Sequence, residues 1–372
     1  MEEKKTKTIV VSAVSLRKGG TLTILRNCLA FLSEWAGEAG YRVVALVHKK
    51  ELAYFPNIEY LEFPDIINRW DKRLWCEYHT MYGISKKLAP VALWLSLHDT
   101  TPNVVAERRA VYCQTSFPFL KWNLNDLRFD YKIVLFALFT RFAYRVNIKK
   151  NDFLVVQAEW LRKGFAKMFG LREQQFIVAP PTSNFRPMSR TAKKEGLYTF
   201  LYPATPDCHK NFEILCKAAQ LLEKEVGKHC FQVILTIDGT ENAYASWIYS
   251  TWGEVDSILF KGFMSKEDLY ENYSQADCLV FPSRIETWGL PISEFAAYDK
   301  PMLLADLPYA HETSNGCNRV DFFDSAKPEG LEQKMLALIH GDLSLMRRNA
   351  SRTLEAPVAY SWGELFNQIL EL

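Results

Sequence analysis

Short runs of β-branched and aromatic residues alternate along this chain with amphipathic stretches of helical period, which is the pattern of parallel sheets covered by helices on both faces. In the first half the strand-like runs are TKTIVVSAV, RVVALVH, IEYLEF, VALWLSL, RAVYCQ, DFLVVQ and FIVAP. Between the first two, Ile24, Leu25, Cys28, Leu29, Leu32 and Trp35 recur at three- and four-residue spacing, so one helical face is apolar and the chain opens as a βαβ unit. The stretch from Pro180 to Gly196 is rich in Pro, Ser and charge, lacks periodic apolar positions and reads as a linker. The same grammar then restarts: YTFLYPA, a helix over Lys210 to Val226, FQVILTID, a helix near Ala243 to Trp252, SILFKGF, a helix near Glu267 to Ala276, CLVFPS, a helix from Leu290, KPMLLAD and RVDFFD. The expectation is an α/β protein of two doubly wound, Rossmann-like domains, residues 1–185 and 186–355. A last helix within 356–372 places Trp362, Leu365, Phe366, Ile369 and Leu370 on one stripe and is expected to pack back on the N-terminal domain.

Composition agrees with that picture: 372 residues suit two domains, and 48% apolar with 24% charged residues is a folded globular balance. Eight cysteines without a C-x-x-C pair argue against a zinc ribbon or a dense disulfide framework, so a reducing cytoplasm is the expected compartment. The start, MEEKKTKTIV, has no signal-peptide core, and the longest apolar run, near Ile133 to Phe139, is far shorter than the roughly 20 residues that span a bilayer. Charge changes the picture more. Residues 1–183 carry 27 Lys and Arg against 17 Asp and Glu, whereas residues 184–372 carry 18 against 26. A basic N-terminal half suits an anionic surface or a phosphorylated acceptor, and peripheral contact with the inner face of a membrane is one expectation. The segment from Asp130 to Lys150, with Arg141, Arg145, Lys149 and Lys150 among aromatics, fits a membrane-surface helix or a helix packed on the N-terminal sheet, and the second reading is preferred. No nucleic-acid partner is expected.

The densest chemistry lies in CLVFPSRIETWGLPISEFAAYDKPMLLADLPYAHE, residues 278–312. A buried-type strand ends at Pro282-Ser283, a loop carries Glu286, and Gly289-Leu290-Pro291 opens a helix bearing Glu294. Proline suits the first helical position, and the free amides of a helix start attract an anion such as a diphosphate. The two carboxylates can accept hydrogen bonds from sugar hydroxyls. In YPATPDCHKNFEIL, a strand leads into Lys210 at a helix start, where an ammonium can neutralise a phosphate.

This segment resembles the donor-binding signature of glycosyltransferase family 4, in which two glutamates separated by seven residues follow a Pro-Ser strand end; here they are Glu286 and Glu294. The resemblance implies the GT-B fold, two Rossmann-like domains facing across a cleft, with an N-terminal acceptor domain and a C-terminal nucleotide-sugar domain. It implies that Glu286 lies by the transferred sugar, that Glu294 holds the ribose hydroxyls, and that the base is read near Gly262-Phe263. By the same resemblance Lys210 is expected to meet the donor phosphate. The family's usual arginine five or six residues earlier is replaced by Ala204 and Thr205, and Arg284 is the candidate to supply that charge. Gly19-Gly20, after the first strand, would face the diphosphate. His98 matches a histidine common in the family, while Gln114 stands where many members have another. The implied activity is retaining sugar transfer from a UDP-, GDP- or dTDP-linked donor to a saccharide or lipid-linked acceptor in surface polysaccharide assembly, with no further cofactor and with closure of the domains over the donor. No Asp-x-Asp pair offers metal ligands to the diphosphate, so the reaction is expected to be metal-independent. A GT-B phosphorylase or epimerase and a non-catalytic nucleotide-sugar-binding subunit are the alternatives. A dehydrogenase is disfavoured because the first turn lacks G-x-G-x-x-G.

Overall fold

The computed structural model describes residues 6–66, 69–181, 185–188 and 197–371, so most of the expected Pro180–Gly196 linker lies outside the described residues. Contacts group the chain into two compact units. One comprises Met1–Thr115, Phe139–Thr182 and Leu354–Leu372; the other comprises Ser116–Leu138 and Ser183–Thr353.

Up to residue 181 the elements are β1 (Lys7–Ala13), α1 (Gly19–Glu38), β2 (Tyr41–Val47), β3 (Ile58–Glu62), α2 (Trp70–Trp75), α3 (Met81–Lys87), β4 (Val91–Ser96), β5 (Arg108–Cys113), α4 (Leu124–Phe129), α5 (Tyr131–Arg145), β6 (Phe153–Val156), α6 (Glu159–Phe169) and β7 (Phe176–Val178). The strands form a parallel sheet in the order β3-β2-β1-β4-β5-β6-β7. In β1 every residue from Thr8 to Ala13 is buried, as expected of a central parallel strand covered on both faces. Its register sets Val10 beside Val44 on one side and Trp94 on the other.

After residue 197 come β8 (Tyr198–Tyr202), α7 (Phe212–Val226), β9 (Phe231–Leu235), α8 (Ala243–Trp252), β10 (Ile258–Phe260), α9 (Lys266–Gln275), β11 (Cys278–Phe281), α10 (Leu290–Ala296), β12 (Met302–Ala305), α11 (Pro308–Thr313), β13 (Val320–Phe323), α12 (Pro328–Ile339) and α13 (Trp362–Leu370). The second sheet is also parallel, in the order β10-β9-β8-β11-β12-β13. Each sheet therefore reverses its direction of growth once, between β1 and β4 in the first and between β8 and β11 in the second. Loops leaving the carboxyl ends of strands diverge at such a point, which is where open α/β sheets take ligands.

Helix α13 completes the core of the first unit. Ser361 caps it, and Leu365, Phe366 and Ile369 are buried against α1, the Phe366 ring lying 5.7 Å from Phe31 and 5.8 Å from Trp35. Burial of each of these side chains contributes about 2 kcal/mol. Helix α5 buries Ile133, Val134, Ala137, Thr140 and Tyr144 along one side, Tyr144 against Phe165 of α6. All eight cysteines are free, and no helix among the described residues is long and apolar enough to cross a membrane.

Candidate functional site

The reversal point of the second sheet brings together Lys210, which follows β8, and Glu286, which follows β11. The chain leaving β8 makes a single turn over Cys208–Lys210, then Asn211 takes a left-handed conformation (φ 60°) to enter α7. Asparagine tolerates that conformation, and its amide donates to the carbonyls of Pro282 (3.2 Å) and Ser325 (2.9 Å). The Tyr202 hydroxyl donates to the Lys210 carbonyl at 2.7 Å, so the lysine backbone is held from two directions. Lys210 Nζ lies 2.6 Å from Glu286 Oε1, which also accepts from Ser283 Oγ at 2.7 Å. Both side chains of the pair keep a sixth or less of their surface exposed, 16% and 14%. Tyr309 donates to the Ser283 carbonyl at 2.6 Å and steadies the strand end.

Arg284, expected to lend its charge to the donor phosphate, is spent elsewhere. Its guanidinium grips the carboxylate of Asp126, one bond measuring 2.8 Å, and Asp126 is itself fully buried. The same guanidinium donates to the Cys208 carbonyl at 3.1 Å, and the Arg284 amide donates to the His209 carbonyl at 2.7 Å. Arg284 thus ties the Lys210 turn to the Glu286 loop. Asp126 is held in turn by a capping box, its amide bonded to the Asn123 side chain and its carboxylate to the Asn123 amide at 2.7 Å. A carboxylate neutralised by a bidentate arginine leaves that arginine no free charge for a second anion.

Beyond this cluster, Gly289 takes φ 91° at the mouth of α10, where a Cβ would press on Ile292, and Leu290 is partly exposed. Glu294, on α10, accepts from the Tyr273 hydroxyl at 3.1 Å, and its burial raises its pKa from the ordinary carboxylate value. Gly262 has φ 69° and sits so close to Asp238 that a Cβ would lie 2.9 Å from Oδ2, while Phe263 is 92% exposed.

The reversal point of the first sheet is different. Gly19 needs its positive φ of 65° at the start of α1, but a Cβ on Gly19 or Gly20 would meet nothing within 4 Å, so packing does not demand either glycine. His98 is entirely buried. Its Nδ1 lies 2.9 Å from Thr100 Oγ1, whose proton goes to Glu77 Oε2 at 2.7 Å, so Nδ1 is the donor of that contact. Glu77 also accepts from Arg73 at 2.8 Å. Burial pushes the His98 pKa down to about 4, which keeps the ring neutral. His98 therefore braces the end of β4 and does not present itself to a sugar. Beside it, Asp99 sits at φ 66° and accepts from the Gln114 amide at 2.5 Å, and burial raises its pKa to about 6. Gln114 donates its side-chain amide to the Leu97 carbonyl and is buried.

Asp126, Glu77 and Tyr202 were not singled out by sequence reasoning. A signal existed for the first, because Asn-Leu-Asn-Asp before an apolar run is a capping pattern, though nothing in it points to Arg284. Glu77 lies in a turn of π-helix, Cys76–Thr80, which swings it inward and leaves no periodic trace. Among the described residues, the one set of acids close enough to share a cation is Glu159, Glu173 and Glu355, and Glu159 already pairs with Arg162 and Lys163.

The family model described as glycosyl transferases group 1 matches residues 186–353, which include Lys210, Glu286 and Glu294. The chain is 24% identical over 181 residues to the O-antigen chain mannosyltransferase RfbU of Salmonella typhimurium, covering 48% of this chain and 49% of that protein. It spans about half the length of the curated relatives it matches. Among solved structures, a glycosyltransferase from Rickettsia africae superposes with a TM-score of 0.64 at 14% identity, covering 99% of this chain and 97% of the other. Anabaena HepE in complex with UDP and glucose superposes at 0.57 with 12% identity, covering 91% and 92%. At these identities the likeness establishes the fold, which is GT-B: two parallel-sheet α/β domains.

Proposed function

We propose that the chain is a retaining, metal-independent glycosyltransferase of the family-4 kind, moving a sugar from a nucleotide-sugar donor to a saccharide acceptor in surface polysaccharide assembly. The observation that carries this reading is the Lys210–Glu286 pair at the reversal point of the second sheet, inside the segment that matches the group 1 family model. Without donor, the carboxylate is the anion that neutralises Lys210. With donor, the diphosphate takes its place at the ammonium, and Glu286 is released toward the sugar. Gly289 and Leu290 bring the α10 mouth to the same diphosphate, Glu294 takes the ribose hydroxyls, and Gly262-Phe263 borders the base. The bond from the anomeric carbon to the diphosphate oxygen breaks as the acceptor hydroxyl attacks from the same face, and the hydroxyl proton leaves with the diphosphate. Lys210 stabilises the charge that develops on the departing oxygen, where a fixed cation contributes most. The similarity to an O-antigen chain mannosyltransferase supports a polysaccharide acceptor, and the fold shared with a UDP- and glucose-bound protein supports a nucleotide-sugar donor.

The test is a thermal-shift screen of UDP-, GDP- and dTDP-sugars, followed by NMR of the product made with the best donor. One donor should raise the midpoint, the product should keep the donor's anomeric configuration, and EDTA should leave the rate unchanged. An inverted product or EDTA sensitivity would refute the mechanism. Donor binding without transfer or hydrolysis would assign a non-catalytic binding subunit, and acceptor-free conversion of the donor to its epimer, with no sugar released, would assign an epimerase.

A further inference from the structure

The face of α5 opposite its buried side is built from apolar residues left exposed by the described residues. Tyr131, Leu135, Leu138, Phe139 and Phe142, continued by Val146, recur at three- and four-residue spacing with one adjacent pair, and are between 43% and 62% exposed. A helix on a protein surface ordinarily turns polar residues to water on that side, so a helix apolar on both sides has a second apolar phase to meet. The charges around the stripe identify that phase. Lys132, Arg141, Arg145, Lys149 and Lys150 are all exposed, and residues 131–151 contain no Asp or Glu. The Arg141 guanidinium stands over the Phe142 ring at 4.7 Å, so cation and aromatic are offered together. A second copy of this chain would set five cations against five, whereas an anionic bilayer supplies acyl chains for the rings and phosphates for the cations.

We propose that α5 and the residues following it form a membrane-docking face that lies flat in the headgroup region of an anionic lipid bilayer. The helix rests on the surface and does not span it. Leu135, Leu138, Phe139 and Phe142 enter the acyl boundary, and the arginines and lysines bind lipid phosphates along its edges. This face contains none of the residues assigned to donor binding, so docking and sugar transfer fail independently.

The test is co-sedimentation of the full chain with vesicles of phosphatidylcholine alone or mixed with phosphatidylglycerol. The protein should pellet with the mixed vesicles, less so with added salt, and not with phosphatidylcholine alone. Phe139→Ser with Phe142→Ser, and separately Arg141→Glu with Arg145→Glu, should each weaken vesicle binding by ~10-fold or more. All four positions are exposed, so an unchanged circular dichroism spectrum is expected, and either pair alone decides the matter if the other disturbs folding. Failure of the wild-type protein to pellet, or equal pelleting by both variants, overturns the proposal. A dimer in sedimentation velocity that the phenylalanine variant dissolves also overturns it, by assigning the face to self-association.

Discussion

At the β1/β4 end of the first sheet, Glu77, His98 and Thr100 have been withdrawn into the protein and hydrogen-bond one another, and Asp99 beside them accepts from the Gln114 amide. At the β8/β11 end of the second, Lys210 and Glu286 keep part of their surface open and are satisfied by an ion pair. Topology is the same at both places, and so is the logic that makes each a crevice. What differs is whether the polar groups there can change partner. A buried neutral histidine locked to a threonine has no cheaper alternative, whereas an ammonium paired with a carboxylate at the rim can exchange that carboxylate for a phosphate. Burial has converted one point into a brace, while the other keeps an ion pair that the proposed donor would have to open.

Several substitutions break or sharpen this contrast. The largest effect belongs to Lys210→Ala, which should lower the transfer rate by ~10³-fold, well beyond what its cost to folding accounts for; that cost, read from the urea midpoint, is itself real because Glu286 is left only 14% exposed with its bond from Ser283. A rate near that of the wild type would remove Lys210 from the chemistry. The brace should behave in reverse: Glu77→Ala removes the buried carboxylate that accepts from Arg73 and Thr100 and should cost ~3 kcal/mol in urea denaturation. Next comes Asp126→Asn, which loosens the Arg284 clamp that aligns the Lys210 turn with the Glu286 loop. Here kcat should fall by ~10-fold with KM for the donor nearly unchanged, since position and not contact is lost. A matched rise in KM would show instead that Asp126 shapes the donor pocket itself.

The smallest effect is on pH dependence. The folded His98 ring, with its pKa near 4 against an ordinary 6.5, refuses a proton that the unfolded chain accepts, so its contribution to stability is lost as pH falls through that window. Asp99 acts oppositely: at about 6 against an ordinary 3.8, it takes a proton in the folded state that the unfolded chain declines, so acidification relieves it. The two offset in the wild type. Asp99→Asn should therefore become more acid-labile than the wild type, by ~1 kcal/mol between about pH 7 and about pH 5 in paired urea titrations. Parallel curves would mean that the two groups do not titrate as their burial dictates.

Much of this architecture could be read from periodicity. β1, β4 and β11 are nearly continuous apolar runs because both faces of each sheet are covered, and the stripe of α13 was visible because its other side is polar. The Glu286–Glu294 spacing singled out the segment that supplies one half of the Lys210–Glu286 pair, and Lys210 stood out as a cation before a helix. Three features escaped. The Arg284–Asp126 clamp joins residues 158 positions apart, and a side-chain pair at such separation leaves no local pattern. His98 was legible as a polar residue after a strand, but residue type does not say whether the protein closes over it. The open face of α5 was legible only as one of two readings, a surface helix or a helix packed on the sheet, because with apolar residues on both sides periodicity does not tell which side the core claims.

Helix α13 carries a consequence for how the molecule is made. The ribosome synthesises it only after the whole of the second unit, yet its Leu365, Phe366 and Ile369 belong to the core laid down by α1 near the beginning of the message. A nascent chain halted before Trp362 would hold a second sheet ready to fold and a first one with Phe31 and Trp35 uncovered. During translation, then, the earlier-made unit is the later to mature, and it is the natural client for any chaperone that waits at the exit tunnel.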